Sequence, residues 1–148
     1  MSEYRRQMLI ESPVERVWEL VGDPRRHPEW WPRVIEVDGV EEIVADTEFV
    51  QTTRSIGGEI QTTMRIEEVE DLRQINLRCE DTGTFARWLL TEAQGSTFAE
   101  LEMGMVPATT SMRLFDLVIG RRYFSRWSEQ ALDGLQRAAG AEEGSDPA

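Results

Sequence analysis

Few side chains in this 148-residue sequence could carry acid–base or nucleophilic chemistry. His27 is the single histidine, and its ordinary pKa near neutrality makes it the one ready acid–base candidate. His27 lies between Arg26 and Pro28, and the alternative interpretation is that it is an exposed loop residue with no catalytic role. Cys79, the single cysteine, alternates with polar residues on a predicted strand, so we expect a small buried apolar residue and not a nucleophile.

The basic side chains exclude further kinds of active site. All 16 are arginine and none is lysine, which excludes a Schiff-base lysine or a phosphate-loop lysine. One cysteine cannot form an internal disulfide, and one histidine cannot anchor a typical zinc site. Since the sequence also lacks a glycine-rich phosphate loop, we predict no cofactor and no metal.

The charge balance predicts which partners to expect. With 28 acidic and 16 basic residues the net charge is −12, which disfavours nucleic acid. No apolar run approaches the ~20 residues that span a bilayer, and the N-terminus is too polar for a signal peptide. We therefore expect no membrane insertion and a cytoplasmic protein. Nothing in the sequence decides between a monomer and a dimer.

Periodicity divides the chain into three parts that would position these residues. Residues Tyr4–Ile10 alternate as a first strand, and Ser12-Pro13 then begins a helix that Gly22-Asp23-Pro24 ends. A short segment, Arg25–Trp31, follows. From Arg33–Val106 the alternation of apolar and polar residues predicts antiparallel strands, polar on one side only.

Two hairpin turns set the predicted strand registers. A Gly57-Gly58 turn would pair Ile56 with Glu59 and would place residues 49, 51 and 53 on the apolar face. A second turn at 94–95 would place Arg87 opposite Glu102, a favourable cross-strand charge pair. In both hairpins the strand arginines fall on the outer face, which leaves the inner face nearly uncharged.

Helical periodicity returns after the strands. Apolar residues recur at three- and four-residue steps from about Thr110 to Ala139, and Gly140 is a plausible end. We predict one domain over residues 1–140 and, from composition, a disordered acidic tail over 141–148. The predicted architecture is α+β: a curved antiparallel sheet around the long C-terminal helix, an arrangement that favours an internal cavity.

The opening stretch IESPVERVWELVGDPRRHPEWWPRV and the strand segment GSTFAELEMGM resemble the START-like (SRPBCC) superfamily, polyketide cyclase/dehydrase and lipid-transport group. The resemblance covers about residues 4–139. It implies the helix-grip fold, with about seven strands and two short helices after the first strand. Members bind hydrophobic molecules such as sterols, lipids and polyketides, and some cyclise or dehydrate aromatic polyketides. The motif comprises Asp23, Pro24, Pro28, Trp30 and Pro32.

The predicted ligand site is the apolar inner face, with polar groups at Gln51, Thr53 and Thr62 that would orient the ligand. The alternative is that these side chains simply fill the core. Trp30 could act as a gate with Trp31. The full set of candidate ligand-binding residues is Trp30, Phe49, Gln51, Thr53, Thr62, Met64, Leu77, Trp88, Leu90, Leu101, Met103, Leu117, Phe124 and Trp127.

Three functions remain possible from the sequence. The first is binding, for transport or sequestration, of a small hydrophobic ligand such as a lipid or polyketide. The second is a polyketide cyclase/dehydrase-like enzyme, with His27 or a cavity carboxylate as the acid–base group. The third is a protein-interaction or regulatory module. The absence of inward arginines on the strands favours binding over catalysis. Only Arg113, Arg121 or Arg122 could reach an opening, and for these a solvated helix face is the stronger interpretation.

Overall fold

The computed structural model describes residues 2–55, 57–106 and 109–144. It confirms the predicted α+β helix-grip fold: a curved seven-stranded antiparallel sheet, two short helices after the first strand and a long C-terminal helix. The sheet order is β1-β7-β6-β5-β4-β3-β2. The strands are β1 (Ser2–Ile10), β2 (Val34–Asp38), β3 (Glu48–Ser55), β4 (Gly58–Glu70), β5 (Gln74–Cys79), β6 (Thr84–Ala93) and β7 (Ser96–Met105).

Two groups of helices cover the inner face of the sheet. After β1 come α1 (Val14–Val21), a 3-10 turn (Pro24–Arg26) and α2 (His27–Trp30). The C-terminal helix consists of α3 (Thr110–Phe115), a π-helical turn (Asp116–Gly120) and α4 (Arg121–Gly144). No helix within the described ranges is long and apolar enough to cross a membrane.

The C-terminal helix begins where the sequence predicts but continues past Gly140, its predicted end, to Gly144. The π-helical turn in its middle was not predicted. Residues 145–148 of the predicted tail lie outside the described residues, so the tail and the domain boundary at residue 140 stay predictions.

The β3–β4 register differs from the predicted one by two residues. Ser55 pairs with Gly58 and Thr53 with Ile60, so β4 begins at the second glycine instead of after it. Gly58 can join the strand there because its φ of +120° is accessible to glycine. Since side chains alternate with period two, the error left every residue on its predicted face. Ile56 lies outside the described residues.

The second hairpin confirms its predicted register, with Arg87 opposite Glu102. Arg87 Nη1 donates to Glu102 Oε1 at 2.5 Å, and Arg5 of the neighbouring strand donates to Oε2 at 2.6 Å. Burial raises the pKa of the Glu102 carboxyl, but the two guanidinium groups outweigh it and the net pKa is lowered. The predicted charged outer face is therefore present on β1, β6 and β7.

The hydrophobic core fills one end of the space under the sheet. Val17 and Leu20 of α1 and Leu132 and Leu135 of α4 are completely buried there. They pack with Trp88 of β6 in one contiguous core cluster. Toward the other end of the strands, where α3 and the start of α4 cover the sheet, the packing leaves a cavity.

Candidate ligand cavity

A cavity of about 270 Å³ lies between the inner face of the sheet and the C-terminal helix. Its extent can be followed along one strand pair. Ala86 and Met103 line it. Trp88 and Leu101, two residues further along the same strands and on the same face, are also buried but do not line it. The cavity therefore occupies the end of the domain where β6 begins and β7 ends.

Most of the cavity wall is apolar, and methionine is its most frequent apolar residue. Four of the six methionines in the chain contribute, from β4, β7 and α3. Thioether side chains are flexible and polarisable, so a methionine-rich wall adapts to ligands of different shape. The four are Met64, Met103, Met105 and Met112.

A small set of uncharged polar groups interrupts the apolar wall. Gln51 Nε2 donates to Thr53 Oγ1 at 3.1 Å, and Thr62 Oγ1 donates to the Gln51 carbonyl oxygen at 3.5 Å. Elsewhere in the wall, Thr82 Oγ1 donates to Thr84 Oγ1 at 2.9 Å. These bonds reduce the cost of placing hydroxyl and amide groups beside apolar surface, and the hydroxyl oxygens retain acceptor capacity for a ligand.

The described lining contains no Asp, Glu, Arg or His side chain. Arg113, Arg121 and Arg122, the arginines that could have reached an opening, are exposed and do not line the cavity, as expected for a solvated helix face. Among the described residues, no cluster of three His, Cys, Asp or Glu side chains could hold a metal ion. An ion inside this wall would lack a compensating charge, so the cavity suits a neutral molecule.

His27 does not line the cavity, and its expected alternative as an exposed loop residue is also wrong. The side chain is completely buried. Its Nε2 lies 2.9 Å from the Val21 carbonyl oxygen, which can only accept, so Nε2 carries the proton. Burial lowers the pKa of His27 to about 4, although the Val21 bond and the nearby Asp23 charge oppose that shift. The imidazole is neutral at physiological pH.

The two tryptophans proposed as a gate are buried in the interior. Trp30 and Trp31 stack with ring centroids 5.4 Å apart, and both meet Trp88 edge to face at 5.5 Å. Trp30 Nε1 donates to the Leu20 carbonyl oxygen at 3.1 Å. Trp31 lines the cavity, whereas Trp30 lies behind it. The pair lies where the cavity meets the hydrophobic core.

The structure brings eight of the fourteen predicted ligand-binding residues together in the cavity wall. Another five are buried but pack in the core beyond the end of the cavity: Trp30, Phe49, Trp88, Leu90 and Leu101. Leu117, predicted to face the cavity, points outward and is 82% exposed. The eight that line it are Gln51, Thr53, Thr62, Met64, Leu77, Met103, Phe124 and Trp127.

Other lining residues were missed by the prediction. Cys79 shares the predicted inner face with Leu77, and Ala86 shares it with Trp88, so the period-two pattern contained the signal for both. Phe85 carries no such signal, because alternation would place it outside. Trp31 was predicted only as a gate with Trp30. The other lining residues absent from the candidate set are Val34, Ser55, Ile60, Cys79, Thr82, Thr84, Phe85, Ala86, Met105, Met112, Phe115 and Tyr123.

A curved antiparallel sheet closed by a C-terminal helix, with a cavity between them whose described wall is uncharged, is the architecture of a START-like helix-grip protein. The chain belongs to the polyketide cyclase / dehydrase and lipid transport family, whose model matches residues 1–140. This confirms the family predicted from the sequence. No curated protein matches the chain significantly.

Solved structures share the fold over nearly the whole chain. TTHA0849 from Thermus thermophilus is 18% identical, with a TM-score of 0.75 over 95% of this chain and 99% of that one. The ZhuI aromatase/cyclase from Streptomyces sp. R1128 is 16% identical, with a TM-score of 0.73 over 93% of each chain. A START superfamily protein from Mycobacterium smegmatis is 11% identical, with a TM-score of 0.74 over 94% and 97%. At these identities the likeness concerns the fold alone.

Proposed function

We propose that this protein binds a small, neutral, hydrophobic molecule, such as a lipid or polyketide, in its cavity, for transport or sequestration. The observation that supports this most directly is the described wall itself, which is mainly apolar and has no charged side chain. Apolar burial would supply the affinity. The Gln51, Thr53 and Thr62 group would orient a hydroxyl or carbonyl of the ligand.

The cavity volume limits the size of the ligand. About 270 Å³ lies just below the range for small-molecule sites, which is about 300–1,000 Å³. A compact molecule or a short chain fits, and the methionines allow some variation in its shape.

Native mass spectrometry of the protein from its own host is the first test, and we expect a co-purifying neutral molecule. A titration with the neutral fluorophore N-phenyl-1-naphthylamine tests the location. We expect binding at one site per chain in the wild type and at least about tenfold weaker binding in Ala86→Phe, because the ring would occupy the cavity.

Ala93→Phe is the matched control, since Ala93 lies on the same strand but is exposed. It should bind the fluorophore as the wild type does. Circular dichroism would show that both variants fold. If a folded Ala86→Phe variant bound the fluorophore as tightly as the control, the cavity would not be the ligand site.

The second candidate function is a polyketide cyclase/dehydrase-like reaction in the same cavity. The family description and the structural likeness to ZhuI favour it. The described wall offers the Tyr123 phenol and the Cys79 thiol but no imidazole or carboxylate. Turnover of an aromatic polyketide precursor analogue would establish it. A folded His27→Gln variant should keep any such turnover, because His27 does not line the cavity.

A further inference from the structure

The outward side of α3 and the π-helical turn is apolar. Leu114, Leu117 and Val118 are 62%, 82% and 71% exposed, and Ile119 is 44% exposed. The first three follow the i, i+3, i+4 spacing that places residues on one side of a helix. We call Leu114, Leu117, Val118 and Ile119 the outer patch. A cluster of large exposed apolar side chains of this kind is a candidate interaction site.

Arginines stand at both ends of the outer patch. Arg113 precedes it and Arg121 and Arg122 follow it, and all three are exposed. Within the described ranges, none of the three forms an ion pair with an acidic side chain. Residues 104–128 contain four arginines and one acidic residue, the buried Asp116, in a chain whose net charge is −12. The patch is therefore a cationic region of an acidic protein.

We propose that the outer patch docks this protein on the surface of an anionic lipid bilayer. A short helix lies in the bilayer interface when its apolar side chains enter the acyl boundary and its basic side chains reach the lipid phosphates. The outer patch has this arrangement, with apolar residues in the middle and arginines at the ends. The acidic remainder of the molecule would be repelled, which leaves this side as the one that can approach.

The same charges disfavour a second copy of the chain as the occupant. A two-fold symmetric contact through the outer patch would bring the three arginines of each copy together. Like charges without acidic partners repel across such a contact. A bilayer presents the opposite charge and an apolar interior. Docking on the surface of a bilayer does not require the apolar run of ~20 residues that spans one. It requires only a short helical segment with apolar side chains on one side.

Vesicle co-sedimentation tests this proposal without any cavity ligand. We expect the wild type to bind vesicles of phosphatidylcholine mixed with phosphatidylglycerol but not vesicles of phosphatidylcholine alone. Leu117→Asp should abolish binding, whereas Val44→Asp, at an exposed apolar residue elsewhere (44% exposed), should not change it. Arg121→Gln combined with Arg122→Gln should weaken binding by roughly tenfold or more, whereas Arg73→Gln should have little effect.

Several results would overturn the proposal. One is failure of the wild type to bind the anionic vesicles, including the case in which it captures an acidic protein instead. Another is unchanged binding by folded Leu117→Asp. A dimer in sedimentation velocity that Leu117→Asp dissociates, without vesicle binding, would assign the outer patch to a second copy. Ala86→Phe should bind vesicles normally, which separates this proposal from ligand binding in the cavity.

Discussion

At the scale of single residues, His27 shows how burial changes the role of a titratable side chain. Its ring lies 5.4 Å from Trp30 and 5.2 Å from Trp31, centroid to centroid, and its Nε2 bonds the last residue of α1, Val21. The histidine therefore holds α1 against α2 and the aromatic wall. The sequence identified the residue type but could not show its burial, because a short irregular segment has no periodicity.

The lowered pKa of His27 makes stability depend on pH. The folded state keeps the ring neutral down to about pH 4, while the unfolded chain takes up a proton near its ordinary pKa. The unfolded state thus binds more protons between these values, and the free energy of unfolding falls as the pH is lowered. We expect a loss of about 2 kcal/mol from about pH 7 to pH 5 in urea titrations.

His27→Gln is the comparison for this measurement, because a glutamine can still donate to the Val21 carbonyl but does not titrate. Its stability should change much less over the same pH interval. Equal pH dependence in the two proteins would show that other groups cause the effect.

At the scale of elements, α4 can pack against the end of α2 because Gly134 has no side chain. A Cβ added at Gly134 would overlap the carbonyl oxygen of Trp30 and would lie 3.5 Å from Pro32 Cδ. Glycine inside a helix is unfavourable by itself, so its presence here reflects the close approach of α4 to the end of α2. Trp127 Nε1 adds a bond of 2.7 Å to the Pro32 carbonyl oxygen.

Gly134→Ala should therefore destabilise the protein by about 1–3 kcal/mol despite the better helix propensity of alanine. Gly140→Ala is the matched control, since a Cβ at that position meets nothing within 4 Å. That variant should be unchanged or more stable by up to about 1 kcal/mol. Urea unfolding measures both, and equal stabilities would show that α4 can shift to accept the methyl group.

Strands and helices differ in how far the sequence predicts them. The period-two pattern placed Phe49 and Gln51 inside even though the β3–β4 register was wrong by two residues. A turn position depends on one or two backbone angles, such as that of Gly58, which composition does not fix. The side-chain face was therefore predictable where the exact pairing was not.

In the C-terminal helix, by contrast, the helix itself was predicted correctly but the side on which Leu117 lies was not. Leu117 lies seven residues before Phe124 in the sequence. In an uninterrupted α-helix this spacing, about two turns, would place both side chains on the same side. The π-helical turn between them has i→i+5 bonding and accommodates one extra residue. The buried position is therefore Asp116, and Leu117 points outward. Nothing in the local sequence signalled this turn, so the prediction of this part of the site was wrong.

At the scale of the whole molecule, the charge distribution selects among ligands. The chain has a net charge of −12, and the described cavity wall has no charged side chain. An anionic ligand would be repelled on approach and would be buried without a counter-charge. A neutral ligand meets neither cost.

Decan-1-ol and decanoate have the same chain length and differ in charge, so they test this selection. We expect decan-1-ol to raise the melting temperature of the wild type, since a ligand that binds the folded state stabilises it, and decanoate to have little effect. Ala86→Phe should abolish the shift. An equal rise with decanoate would show that a cationic group reaches the cavity.

The π-helical turn at Asp116–Gly120 also has a consequence for how such chains diverge. The loss of a single residue within it would restore an ordinary helical repeat and would leave the same side of α3 over the cavity. An α-helix that kept all five residues would instead rotate α3 relative to α4 by about 100° and would carry Leu117 to the buried position of Asp116. A one-residue difference in length at this position would thus change the helix type while the cavity lid and the seven strands stayed the same.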